Sequence, residues 1–493
     1  MAATAPVRNP NTNSRRSVLQ GALREAFVTM LAAIATLLCT LAIARGPGPA
    51  VLAVVLCLSL SRSQLDRDWR HRIEAAIALP VVALIAVGAG FLLHHTPWLG
   101  AAVFVAGMFM SIWLRRFGAN AQRAGSLIAL PFVTLLVTPH ISAAEAGAVP
   151  PLLLPVVVAL LALAWVSMLH ALAQRIGLLA PAPVARGNAQ APARESTLRP
   201  IASTRMAIQM AVALSLAFIV GYVFFAQHWA WIVLTAYIVM SGNRGRLDVA
   251  YKSVLRVAGA AGGTVLALVL SFYPVAHGYG SGVLIIVSLF AGLWLRPLGY
   301  AWWALFVTIA LALLQGFADT PPLQILWPRL EEIVIGATLS VATAWWLLPV
   351  RSTGTLRRRL ADALASLGSA LDPATSDRTP DAFIAALAGV EQIAPAFRAS
   401  RLVTRHLPGQ RGAQPADWID TLLACRAPAL ALIESGKTPA DVRRAIGAAR
   451  KALLEPATLL ATLQNLQRSL TPHSVDDGPS QSPRISGNVD STI

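Results

Sequence analysis

Apolar residues run almost without interruption over twelve stretches, at about 26–44, 49–61, 75–93, 98–114, 124–138 and 150–170, then 206–225, 228–241, 253–272, 281–295, 298–316 and 331–349. Short polar, mostly basic segments separate them. Most of the runs approach the roughly 20 residues that an α-helix needs to cross a hydrocarbon core of about 30 Å. The run at 49–61 and the segment Trp229 to Met240 fall short, and the latter rises only about 18 Å as a helix. It is still bracketed as membrane segments are, by Trp229 and Trp231 at one end and Arg244 and Arg246 at the other.

The twelve runs divide into six and six, and the halves resemble each other. Leu65-Asp66 matches Leu247-Asp248 at an offset of 182, and the segment Trp113–Gly118 (WLRRFG) matches Trp294–Gly299 (WLRPLG) at 181. Two landmarks at nearly one offset imply a tandem duplication. Six crossings return the chain to its starting side, so the halves are expected to be parallel repeats about an axis along the membrane normal. The expected fold is therefore all-α: a polytopic membrane protein with two parallel repeats of about six transmembrane helices, followed by a cytoplasmic helical bundle. The expected segments are 1–24 as a cytoplasmic N-terminal segment, 25–172 and 205–350 as the repeats, and 173–204 as a Pro-, Ala- and Arg-rich cytoplasmic linker. Residues 351–470 form the helical domain and 471–493 a disordered tail rich in Ser, Pro and Asp.

Charge sets the orientation. Arginines collect in alternate loops, including Arg62 to Arg72, Arg115 to Arg123, Arg175 to Arg205, Arg244 to Arg256 and Arg351 to Arg359, while the opposite loops offer little beyond Arg45 and Arg329. The positive-inside rule then puts both termini in the cytoplasm of a bacterial inner-membrane protein. The same rule accounts for the excess of 40 basic over 23 acidic residues without a nucleic-acid partner. Overall composition agrees: 56% hydrophobic and 13% charged, against about 25% charged in a soluble domain. Cys39, Cys57 and Cys425 suggest neither a disulfide framework nor a metal site. The segment Ser14–Gln20 (SRRSVLQ) resembles a twin-arginine signal, but Arg24 and Glu25 separate it from a long apolar run, which reads as a retained first helix.

Beyond Val350 the periodicity becomes that of soluble amphipathic helices. Phe383, Leu387, Val390, Ala394 and Phe397 share one face behind Thr379-Pro380, and Thr438 with Asp441 has capping-box spacing. About four helices are expected there.

The short 228–241 run has a counterpart in the Pro- and Gly-interrupted segment Gly46–Ser61. Paired short or interrupted segments point to a transporter's binding site, because irregular backbone at membrane depth must line a cavity; short helices buried among longer neighbours are the alternative. Arg256 is expected in the first turn of the next helix, either snorkelling to the interface or contacting an anion. Pathway candidates are Arg256, Arg244 and Lys252 in the basic turn, Trp231 and Tyr237 for stacking on a planar compound, and Thr264. Gly259, Gly262 and Gly263 read as helix packing, the first and last forming a GxxxG pair. Proton coupling needs an acidic or histidine side chain inside the bundle, and its candidates are Glu25, Glu74, Glu331 and Glu332; all lie near expected helix ends, where a carboxylate is usually solvated.

A short Trp-flanked helix, a basic turn, then Arg256, Gly259, Gly262, Gly263 and Thr264 resembles the fusaric acid resistance (FUSC) family, specifically over about 205–350 and more faintly over 25–170. That family includes bacterial aromatic acid exporters and is similar to plant aluminium-activated malate transporters. The resemblance implies an inner-membrane protein with cytoplasmic helical regions, export driven by the proton gradient, and a periplasmic membrane-fusion adaptor as partner. The first repeat departs from the pattern, with Ile77, Pro80 and Val81 where the second has the three glycines, and the linker is too short for a large domain.

Enzyme motifs are missing: the chain has no Walker loop, G-x-S-x-G elbow, H-E-x-x-H helix or C-x-x-C pair. No cofactor is expected, and ATP is not the expected energy source. The leading expectation is a secondary transporter for efflux of small aromatic or anionic organic compounds, with a small organic anion as substrate, the lipid bilayer as environment and a homo-oligomer as one assembly. Two alternatives stand beside it: a membrane scaffold whose cytoplasmic bundle binds a partner, and a passive anion channel.

Overall fold

The computed structural model describes residues 10–44, 46–62, 69–137, 149–179, 202–226, 228–273, 279–315, 322–374, 379–406 and 413–475. Arg45, the Leu65-Asp66 landmark, the linker 180–201, the loop 274–278 and the tail from 476 lie outside them. The described residues are helical, without strands, and the chain divides into a unit ending at Val350 and a unit beginning at Arg351.

Twelve helices occupy the first unit among the described residues: α1 (Pro10–Ile43), α2 (Pro47–Arg62), α3 (Trp69–His95), α4 (Pro97–Trp113), α5 (Ala119–Val137), α6 (Leu154–Arg175), α7 (Ala202–Phe224), α8 (Trp229–Met240), α9 (Arg246–Ser271), α10 (Tyr279–Leu295), α11 (Tyr300–Gln315) and α12 (Pro322–Trp346). Each apolar run has become one helix. Seven of them are long and apolar enough to cross a membrane, namely those containing Arg16–Ile43, Ala76–His95, Pro97–Phe117, Leu154–Arg175, Ala202–Phe224, Arg246–Ser271 and Gly280–Leu298. The shorter apolar helices are α2, α5, α8 and α11. Helix α12 stands apart, because Arg329, Glu331 and Glu332 fall in its first half.

Helix starts differ from expectation where polar residues extend an apolar run. Helix α1 begins at Pro10 and α9 at Arg246. The second shift moves Arg256 from an expected first turn to the eleventh residue, about 15 Å along the axis. Helix α8 keeps its 12 residues, and its first residue, Trp229, is 182 positions after Pro47 at the start of α2.

The two WLR-x-x-G landmarks fold alike. After Trp113 the chain tightens into a 3-10 turn over Leu114–Phe117 and ends at Gly118 with φ +107°; after Leu295 it does the same over Arg296–Leu298 and ends at Gly299 with φ +152°. Only glycine takes such φ values without strain, so each landmark is a helix breaker that re-aims the next helix. Packing between the halves is reciprocal: α1 lies against α10 and α4 against α7, the first helix of each six meeting the fourth of the other. One core gathers Phe104 of α4, Phe132 of α5 and Phe218 of α7 with Ile232, Val233 and Val239 of α8. A second joins α1, α2 and α6 through Ala33, Leu56, Cys57 and Val158.

The second unit holds seven helices rather than about four: α13 (Ser352–Ala370), α14 (Asp381–Glu391), α15 (Ala394–Arg405), α16 (Pro415–Ala424), α17 (Arg426–Glu434), α18 (Ala440–Ala452) and α19 (Pro456–Val475). Its core is aliphatic, with Leu360, Leu364, Phe383, Leu422, Leu463 and Leu466 almost fully buried. Helices α14 and α15 would meet the length and composition test for a membrane span only if joined across a 40° bend. Against that reading, Arg398 and Arg401 of α15 pair with Asp420 and Asp417 of α16 at 2.7–2.9 Å. A capping box forms at Gln414 and Asp417, which the sequence reading missed. Helix α18 starts behind Pro439 as its N-cap residue, one position later than the expected box at Thr438.

Candidate functional site

Helix α8 is the centre of the candidate site, held between α7 and α12. Close approach to α7 depends on Gly221, where a Cβ would lie 2.7 Å from the Cβ of Trp229. Trp229 then joins an aromatic group, its ring centroid 5.4 Å from Phe218 and 5.3 Å from Tyr222, with Trp98 5.2 Å from Tyr222. On the other side, a Cβ at Gly336 of α12 would meet the Ile232 carbonyl oxygen at 2.6 Å, and Ser340 Oγ donates towards the Ala236 carbonyl at 3.5 Å. Gly336 and Ser340 continue a helical face that begins with Arg329 and Glu332 (i, i+3, i+7, i+11), so this face of α12 packs towards α8.

That packing buries charge. The Arg329 guanidinium sits 3.9 Å from the ring centroid of Trp231, a cation–π contact, and the residue is 4% exposed. Glu332 is 1% exposed, and neither of its carboxylate oxygens accepts a hydrogen bond. Its Oε1 lies 3.8 Å from Nδ1 of His228, the residue before α8, whose side chain is half exposed. Arg256 of α9 is 2% exposed, its Nε has no hydrogen-bond partner, and it lies within electrostatic range of Arg329. Two guanidiniums and one carboxylate are thus enclosed together. A groove of about 670 Å³ opens between α9 and α12, lined by Ser253, Val257, Ala337, Thr338, Val341 and Trp345, and Arg256 does not line it.

Several sequence expectations are corrected here. Arg329, assigned to an outward loop, is inside α12. Glu332, expected to be solvated, is buried, while its neighbour Glu331 is exposed. Arg256 is enclosed in the bundle instead of reaching out as an interfacial anchor.

The remaining candidates separate from the cluster. Lys252 makes a 2.9 Å ion pair with Asp248 and donates to the carbonyls of Ser241 and Gly242 at 3.3 and 3.2 Å, so it caps the C-terminal end of α8. The Arg244 backbone N–H donates to the same Asp248 at 3.1 Å. The basic turn is therefore a structural latch between α8 and α9. Tyr237 is half-buried and lies within electrostatic range of Arg115. Thr264 is half-buried two turns beyond Arg256. Gly259 and Gly263 lie against Ala301, Ala304, Leu305 and Thr308 of α11, as the packing reading expects, and Gly262 meets only Leu305 Cδ1.

Sequence reasoning found Arg256 and Trp231, named Glu332 only among carboxylates read as solvated, and missed Arg329 and His228. One signal was available: Arg329, Glu332, Gly336 and Ser340 form a polar and small face along an otherwise apolar helix, which is how a segment facing the interior of a bundle reads.

Residues 214–343 match the family model described as fusaric acid resistance protein-like. That stretch runs from α7 into α12 and includes every residue of the buried cluster. The chain is also similar to a protein of Escherichia coli (strain K12) described as uncharacterized protein YhfK, with 28% identity over 177 residues. The match spans 34% of this chain and 23% of that relative. With the apolar helices, the family match marks a multi-pass membrane protein.

Proposed function

We propose that the membrane unit is a secondary transporter for efflux of small aromatic or anionic organic compounds across the inner membrane, with Arg256 and Arg329 attracting the anion beside Trp231. One observation carries this reading: among the described residues, the guanidiniums of Arg256 and Arg329 are buried in the bundle with the Glu332 carboxylate, charge held in an apolar interior. Burying an ion costs several kcal/mol even after relaxation, and intramembrane charges that face a bundle interior commonly mark a substrate or ion path. Guanidiniums so placed attract an organic anion. Trp231, with a guanidinium already over its ring, offers a flat wall to a planar compound.

The surrounding architecture is read accordingly. Reciprocal packing of α1 with α10 and α4 with α7, and the twin helix breakers at Gly118 and Gly299, support two parallel repeats. The distribution of arginines supports cytoplasmic termini and a cytoplasmic second unit, which is free to recruit a partner. A periplasmic membrane-fusion adaptor and self-association complete this picture of an exporter. A passive anion channel is the second reading, favoured by the same buried guanidiniums; it differs in that it cannot move an anion against its electrochemical gradient.

Export from cells tests the proposal. Cells lacking the protein are expected to retain a supplied aromatic carboxylate that cells expressing it clear. Arg256→Gln removes the charge and should abolish clearance at a normal protein level in the membrane, with Arg256→Lys intermediate because it keeps the charge but loses the planar fork. Normal clearance by Arg256→Gln would overturn the assignment. A membrane scaffold predicts no clearance by any form.

A further inference from the structure

We propose that the site takes up one organic carboxylate together with one proton, and that Glu332 is the group that receives the proton. The inference rests on the transport reading above and adds a second bound species to it, so that a proton leaves with each anion and the anion's own outward gradient drives export, in place of the proton gradient that the family resemblance implies.

Glu332 already stands where a substrate carboxylate would be drawn. It is the buried acid beside Arg329, and neither of its oxygens accepts a hydrogen bond. The carboxylate therefore serves as a counter-ion without being locked to a donor. An incoming carboxylate that engages Arg256 and Arg329 through paired N–H donors makes the stronger contact. It then sits close to a second carboxylate inside a low-dielectric bundle. Two carboxylates sharing a site do not both stay ionised, and uptake of one proton relieves the repulsion. The balance is simple: a proton from the medium bonds to a Glu332 oxygen, Arg256 and Arg329 remain charged, and the bound anion keeps its charge.

The charged and titratable groups around Glu332 agree with this assignment. On α12 they are Arg329, three residues before it, and the exposed Glu331 next to it. At the start of α8 is His228, whose half-exposed ring places Nδ1 3.8 Å from Glu332 and so gives a proton a route from outside the bundle. From α9, Arg256 faces Arg329. Arg205 of α7 lies at the other end of α12, donating to the carbonyls of Leu348 and Pro349. Lys252 and Asp248 pair at the start of α9, against the end of α8.

Linkage gives the sign. If the anion brings a proton with it, lowering the pH must strengthen anion binding, and by reciprocity the anion must promote proton uptake. For one linked proton the limit is about tenfold in affinity per pH unit.

Binding of benzoate to the purified full-length protein in detergent, at about pH 6 and about pH 8 where benzoate stays ionised, tests this. A pH-indicator dye in weak buffer reads the protons taken up. We expect benzoate to bind more tightly at the lower pH, with alkalinisation of the medium on binding. Glu332→Gln, which mimics the protonated acid, should bind equally well at both pH values and take up no proton. His228→Gln should keep the pH dependence at equilibrium while slowing proton uptake. Benzoate binding in the wild type with no proton uptake and no pH dependence would overturn the proposal and leave the anion site standing. Loss of the pH dependence in His228→Gln alone would also overturn it, by moving the proton to histidine. Should Glu332→Gln fail to fold, proton uptake by the wild-type protein still decides. No benzoate binding at either pH would overturn both this proposal and the transport reading.

Discussion

The contact between α9 and α11 can be perturbed one methyl group at a time. A Cβ on Gly259 would lie 2.5 Å from the Ala301 carbonyl oxygen and 2.7 Å from the Ala304 Cβ; one on Gly263 would lie 2.5 Å from the Leu305 carbonyl oxygen and 2.9 Å from the Thr308 Cβ. These obstacles are backbone or carbons next to it, so relief requires the helices to separate. At Gly262 the nearest atom is Leu305 Cδ1 at 3.3 Å, the far end of a side chain that can turn away. Overpacking a filled interface costs about 1–3 kcal/mol, whereas alanine improves on a helical glycine by about 0.5–1 kcal/mol. Gly259→Ala and Gly263→Ala should therefore each lose up to about 2 kcal/mol net. Gly262→Ala, flanked by both, should be neutral or gain up to about 1 kcal/mol. The fraction of monodisperse protein after stepwise heating in detergent, followed by size exclusion, ranks the three. Equal stability of all three variants, or Gly262→Ala as the weakest, would refute the close α9–α11 packing.

Other consequences are checked with cysteine chemistry. An impermeant maleimide added outside spheroplasts should label His277→Cys and leave Ser196→Cys untouched; the opposite result inverts the proposed topology. A fragment covering 351–475 should be soluble and strongly helical by circular dichroism, since its core closes on itself. Within it Cys425 is fully buried, and burial pushes its thiol up to about 12. At about pH 8 only about one molecule in 10⁴ would carry the thiolate, so Cys425 should react with a disulfide reagent only after denaturation. Rapid reaction of the folded fragment would contradict that core.

Much of the fold was legible because hydropathy acts locally. Each apolar run became a helix, α8 has the expected 12 residues, and the two WLR-x-x-G landmarks became matching breakers at Gly118 and Gly299. The site was half legible. Arg256 and Trp231 stood out through their sequence neighbours, but the helix start ahead of Arg256 was set by polar residues that an apolar run does not reveal. Arg329 and Glu332 were obscured for the same reason: charges near the start of a run look like a loop. Their burial comes from Gly336 and Ser340 bringing α12 onto α8, a contact more than 90 residues away along the chain. Seven short helices replaced about four in the second unit because Cys425, Ser435-Gly436 and Leu453-Leu454 each break a stretch that periodicity alone would continue.

The central claim is that Arg256 and Arg329 carry an organic anion through the bundle. Exchange of labelled benzoate across proteoliposomes loaded with unlabelled benzoate tests it without a driving gradient and without other cellular proteins. The wild type is expected to exchange, Arg256→Gln and Arg329→Gln to fall at least about tenfold while remaining monodisperse and correctly inserted, and Arg256→Lys to lie between. Exchange at the wild-type rate by both glutamine variants would contradict the account.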